Sequence, residues 1–242
     1  MKPLVVLLIS CVLSAASVRQ SEDKIGWNEN SNSTGATLTL KELGRSRVNG
    51  QTMVTYHAFA TGLPKDVEYT LWTKLVGSAP QSPLDAYINK DGLVVNVLAD
   101  AAHNVVEDPI DLQVFAGRGE PKEVALISDD SRYKAFARVI PFPIEDSVGP
   151  CKLSATMSAP NYLGVTIVVT GLQPEEEIEV QHRSGDEVGV EKRTAGKTGA
   201  FVAGFFPSVK GQVSGHLRVL VKAKECAVRV EVPWGQDSYA IQ

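Results

Sequence analysis

The chain has 242 residues, 43% of them hydrophobic and 21% charged, with a formal net charge of −4. This is ordinary globular usage: it excludes a disordered or collagen-like chain and allows one or two domains of about 100–200 residues each. Lysine and arginine are scattered without a basic stripe, so nucleic acid is not an expected partner.

Residues 1–16 read as a signal peptide, with Lys2 as the positive start, an apolar run from Leu4 to Leu13 and small residues at Ser14-Ala15-Ala16. The run is about ten residues, short of the roughly 20 that a membrane-spanning helix needs, and no later stretch approaches that length. An exported chain is therefore expected: extracellular, periplasmic or at the cell surface. Cys11 follows Leu8-Ile9-Ser10, which resembles a bacterial lipoprotein cleavage box that would leave Cys11 lipidated. Apolar residues continue past Cys11, which favours cleavage near Ala16 and loss of the cysteine.

Residues 17–34 read as a flexible polar leader rich in Asn and Ser, and Asn32-Ser33-Thr34 matches a glycosylation acceptor of eukaryotic secretory pathways. From Ala36, short runs of Val, Ile, Thr and aromatics alternate with Gly, Pro, Asn and Asp clusters, the signature of strands and turns. Strands are predicted at 36–42, 52–60, 68–75, 93–98, 110–116, 123–128 and 133–141. Ala99 to Val106 suits a helical turn or two at most. Proline-rich Ile140-Pro141-Phe142-Pro143 and the following residues up to Pro150 are not expected to continue a paired strand. The boundary is placed there, giving a first sandwich at 35–146, a second at 150–235 and a tail at 236–242. Strands restart at 152–158, 164–170, 178–183, 188–193, 200–206, 216–223 and 227–232. The class is all-β, with two consecutive sandwiches of about seven strands each.

Without Cys11, the remaining Cys151 and Cys226 form an even pair in an exported chain, read as a disulfide; free buried thiols and pairing between chains are the alternatives. A weak internal repeat accompanies the division. Thr61-Gly62-Leu63-Pro64, leading to Glu68-Tyr69-Thr70-Leu71, recurs as Thr170-Gly171-Leu172-Gln173-Pro174, leading to Glu177-Ile178-Glu179-Val180. Lys90-Asp91-Gly92 likewise answers Lys197-Thr198-Gly199, and Ile140-Pro141-Phe142 answers Val232-Pro233-Trp234.

The segment from Thr61 to Leu71 is similar to the late turn of fibronectin type III domains, with Tyr69 as the tyrosine that caps a corner, although too much strand pattern follows for that register. Both halves more closely resemble bacterial immunoglobulin-like surface modules, in which Gly-x-Pro ends an early strand and an Asp-Gly turn comes later. The resemblance implies tandem immunoglobulin-like sandwiches. It also implies that the first and last strands of the second half run side by side in parallel, so that a Cys151–Cys226 bridge joins their starts.

Catalytic chemistry finds no local motif. His57, His103, His182 and His216 lack ligand spacing, and no nucleophile elbow, phosphate loop or dinucleotide fingerprint occurs. No cofactor or metal is expected, and Asp129-Asp130, Asp186-Glu187 and Glu175-Glu176-Glu177 read as turn residues. Trp27, Tyr162, Trp234 and Tyr239 lie outside predicted strand interiors, where they either contact a ligand or plug the ends of the sandwiches. The expected function is a non-catalytic module that presents loops to a protein partner. A carbohydrate-binding protein using exposed aromatics and an unrecognised secreted hydrolase are the alternatives.

Overall fold

A computed structural model describes Trp27, residues 32–99 and residues 105–235. The signal-peptide reading, Cys11, His103 and Tyr239 fall outside the described residues. The chain is all-β, with four antiparallel sheets forming β-sandwiches. It divides into two compact units. Of the described residues, the first takes those up to Arg45, between Val54 and Val114 and in Lys122–Val139; the second takes Ser46–Met53, Phe115–Pro121 and those from Ile140 to Gly235.

In the first unit, β1 (Thr37–Val48) and β2 (Gln51–Thr61), apart from their ends within Ser46–Met53, form one sheet with β7 (Leu112–Val114). The other is ordered β6-β5-β4-β3-β8-β9, from β3 (Tyr69–Leu75), β4 (Gln81–Ile88), β5 (Val94–Ala99), β6 (Val105–Pro109), β8 (Lys122–Ser128) and β9 (Lys134–Val139). Period-two alternation builds the core: Val54, Tyr56, Ala58 and Ala60 are buried along β2 while their neighbours are not.

Two strands here differ from the predicted ones. β4 was hidden by Pro83, which lies where the β3–β4 register shifts between Leu71 and Thr73, the kind of irregularity that tolerates a residue without a ladder N–H. Of the stretch 99–106, where a helical turn was expected, the described ends are strand: Ala99 closes β5 and Val105 opens β6, and the two strands pair as a hairpin with Leu98 opposite Val106 and Val95 opposite Pro109, while residues 100–104 lie outside the described residues. This hairpin interrupts a strand. Leu93 bridges to Phe59, and the chain returns to the same partner only when Leu112 pairs with Tyr56.

Tyr69 is fully buried, and its hydroxyl donates to the Pro64 carbonyl at 2.7 Å, tying the turn to the start of β3. Burial pushes the phenol up to about 12. The folded state thus favours the protonated phenol, a contribution present below its ordinary value near 10 and lost as pH rises through about 12. Tyr69→Phe is expected to cost about 1–2 kcal/mol at neutral pH, measured by urea unfolding, and to lessen the alkaline loss of stability.

In the second unit, one sheet is ordered β10-β11-β12-β15, from β10 (Ile144–Val148), β11 (Cys151–Ala159), β12 (Gly164–Thr170) and β15 (Phe201–Phe205). The other is ordered β14-β13-β16-β17, from β13 (Glu177–Ser184), β14 (Glu187–Thr194), β16 (Ser214–Lys222) and β17 (Ala227–Gly235). Leu153, Ile167, Ile178, Val219 and Val228 are among the fully buried core side chains. β10 corrects the expectation that nothing pairs between Ile140 and Pro150. Pro141 and Pro143 precede the strand, and Ile144–Val148 pairs as an edge with Cys151–Ala155.

With β5, β6 and β10 set aside, the units share one strand order: β1-β2-β7 with β4-β3-β8-β9, and β11-β12-β15 with β14-β13-β16-β17. The repeated Thr-Gly-Leu turns end corresponding strands, β2 and β12.

Candidate functional site

The aromatics expected to meet a ligand are buried wherever they are described. Trp27 is 3% exposed. Its indole N–H donates to Glu123 Oε2 at 2.7 Å, its ring meets Phe136 edge-on at 6.0 Å, and it covers Ala125 and Ile127. The nearby leader residues are held too: Asn32 Oδ1 accepts from the Phe136 N–H at 2.7 Å and Ser33 Oγ from the Lys134 N–H at 2.8 Å. The polar end of the leader thus satisfies donors on the edge strand β9; of the rest of the leader only Trp27 is among the described residues.

Tyr162 is fully buried after the 3-10 turn Pro160–Tyr162, and its hydroxyl donates to the Arg118 carbonyl. Trp234 is 3% exposed and donates to Ser184 Oγ at 3.0 Å. None of the three offers a ring face for stacking, because each is consumed in filling a core or an end of its own unit.

Cys151 and Cys226 form a disulfide with Cα atoms 6.2 Å apart. The expected side-by-side pairing of their strands is corrected: β11 and β17 belong to different sheets, so the bridge ties the two layers of the sandwich together.

The described histidines each face a carboxylate. His57 Nε2 lies 2.9 Å from Asp111, His216 Nδ1 3.0 Å from Glu231, and His182 Nε2 3.9 Å from Glu191. Asp130 has a turn role. The Ser128 hydroxyl, the Arg132 backbone N–H and the Arg132 guanidinium hold its carboxyl down at about 2. Among the described residues no cluster of His, Cys, Asp or Glu has metal-holding geometry.

The site that sequence reasoning missed lies in the second unit, where edge strand β14 of one sheet and edge strand β15 of the other border a cleft of about 480 Å³. Its floor is apolar, with Val180 and Leu217 from β13 and β16 and the half-buried Phe201, Ala203 and Phe205 from β15. The opposite wall is charged. β14 turns Glu187, Glu191 and Arg193 toward the cleft, in line with their β13 partners Ser184, Val180 and Ile178, and Arg193 pairs with Glu191. His182 stands between the walls, its ring 5.4 Å from that of Phe205. The imidazole occupies the space above Gly189, where a Cβ would sit 2.1 Å from Nε2.

The strands that border the cleft are unusual for a surface. Phe206 (80%), Val213 (67%), Val188 (64%), Val202 (62%) and Val190 (57%) are the most exposed large apolar side chains of the described residues, and all lie on β14, β15 or the segment between β15 and β16; of the five, Phe206 and Val188 line the cleft itself.

The sequence matches no known family model and no curated protein sequence.

The cleft volume falls in the range of small-molecule and peptide sites, about 300–1,000 Å³. Its borders offer something more specific, since two sheet edges carry unpaired backbone donors and acceptors beside apolar side chains, the features that capture an extended chain. No helix of the described residues is long and apolar enough to cross a membrane.

Proposed function

We propose that the chain is an exported, non-catalytic binding protein built from immunoglobulin-like modules, whose second unit engages a protein partner along the β14–β15 side. Support for the module type comes from the shared strand order, in which the fourth strand lies beside the third, as in a fibronectin type III variant of the immunoglobulin arrangement. Export is supported by the disulfide, which persists in oxidising compartments.

The observation that carries the binding reading is that the five most exposed large apolar side chains among the described residues, Phe206 and Val188 in the cleft lining and Val202, Val190 and Val213 beside it in sequence, all lie on β14, β15 or the segment that follows β15. Leaving such side chains in water is unfavourable by about 25 cal/mol per Å², and a protein partner recovers that free energy. Burial of Trp27, Tyr162 and Trp234 withholds three of the four rings named for the carbohydrate alternative, and the fourth, Tyr239, lies outside the described residues.

A photo-crosslinking residue placed at Phe206 tests the reading in the native host, with the same residue at the exposed Glu145 as control. A protein adduct from position 206 and none from 145 is expected. No adduct from 206, or equal adducts from both, would remove the basis for a partner at this side.

A further inference from the structure

We propose that the partner at this edge is a second copy of the chain, joined by antiparallel pairing of β15 with its own symmetry mate. The proposal rests on the reading above that the β14–β15 side binds protein, and it names the protein.

The first observation is that β15 is unprotected. Sheet edges normally carry charge, proline or a covering segment, because an uncovered row of N–H and C=O groups recruits further strands. Among the described residues, β1, β6, β9, β10, β14 and β17 are edge strands that each carry at least one charged side chain, and β7 is only Leu112–Val114. β15 reads Phe201-Val202-Ala203-Gly204-Phe205, with neither charge nor proline. Such a strand stays soluble when something covers it.

The second observation is that this strand is complementary to itself. A two-fold axis at Ala203 sets Phe201 opposite Phe205 of the mate, Val202 opposite Gly204 and Ala203 opposite Ala203. Residues directly opposite share a face, so the phenylalanines meet in two cross-strand pairs on the cleft side, an arrangement that stabilises antiparallel sheets. On the outer side Val202, 62% exposed, needs room. Gly204 supplies it, since a Cβ there would meet nothing within 4 Å. The pairing joins two four-stranded sheets into one continuous sheet across the axis.

Charge on the neighbouring edge agrees. β14 opens on Glu187, directly after Asp186, and closes on Lys192 and Arg193, which pair within the chain with Glu177 and Glu191, so a two-fold that runs β14 antiparallel to its copy brings its acidic end toward its basic end. Isologous contacts of this kind are the commonest route to a closed dimer.

Analytical ultracentrifugation of the purified chain over a range of concentrations, with two variants, tests the proposal. The wild-type chain is expected to sediment at twice the monomer mass and to dissociate on dilution. Val202→Lys, at an exposed position, is expected to be monomeric with an unchanged far-ultraviolet spectrum. Ala203→Cys is expected to form a covalent dimer on mild oxidation, because the paired Cα atoms stand at disulfide distance. A wild-type chain monomeric throughout, or an Ala203→Cys chain that stays monomeric after oxidation, overturns self-pairing. An adduct at position 206 to a different protein, with a monomeric chain, retains the binding reading and rejects the second copy. No adduct at all rejects both.

Discussion

Replacing Cys151 and Cys226 together by serine is expected to destabilise the second unit by about 4 kcal/mol, the loop-closure value for a bridge across a separation of 75 residues. The loss has two sources. The unfolded chain regains the freedom that the bridge removed, and the folded sandwich loses the covalent link between its layers at the end where β11 and β17 begin. A shift of that size lowers the melting temperature by on the order of 15 °C or more for a unit of this length. Calorimetry of the wild-type chain with and without a reducing agent, beside the double variant, measures it. Melting that is indifferent to both changes would mean that the bridge contributes nothing to the fold.

An effect of similar size is expected from Gly171→Ala. Gly171 has a φ of +78°, in the left-handed region, and a Cβ there would lie 1.8 Å from the Pro150 carbonyl oxygen. Left-handed backbone costs an L-residue about 1–2 kcal/mol. The overlap adds more, because the opposing atom is backbone at the start of β11 and cannot rotate away. The total is expected to reach about 3 kcal/mol or more, read as a lowered urea midpoint. Gly62 is its counterpart in the first unit, with a φ of +70° and a Cβ position 2.1 Å from the Gly35 carbonyl oxygen. Gly62→Ala should therefore be comparably destabilising. A wild-type midpoint for either variant would contradict the close approach of this turn to the strand before it.

These glycines show what is legible in a single sequence. The Thr-Gly-Leu turn could be read because its constraint is local: one residue must have positive φ wherever β2 or β12 ends. The strands of the second half were legible for the same reason, since β11 to β17 are separated by clear turn residues and alternate with period two. The disulfide followed from an even cysteine count in a chain read as exported, whereas its placement between sheets depends on which strands pair and could not be read.

Proline misled in two places. Pro83 concealed β4 because its tolerance arises from a register shift on β3, and Pro141 and Pro143 concealed β10 because they stand just ahead of it. The β5–β6 hairpin was obscured differently. It interrupts a strand position between Leu93 and Leu112, and nothing in the order of residues marks where a pairing will resume.

The site was the least legible part. Aromatic identity pointed to Trp27, Tyr162 and Trp234, but burial is a property of the packed chain, and all three are interior. The uncharged run from Phe201 to Phe205 was visible as a strand. Its importance depends on being an edge, which is decided by the order of strands in the sheet rather than by the run itself.

Amide hydrogen exchange along β15 tests self-pairing at its backbone. The N–H groups of β15 that do not bond to β12 point from the sheet edge, so in an isolated chain they exchange as exposed amides. Protection of these amides at high concentration, lost on dilution and absent in Val202→Lys, is the expected result. Fast exchange of the same amides at every concentration, equal in wild type and variant, would contradict the pairing of β15 with a second copy.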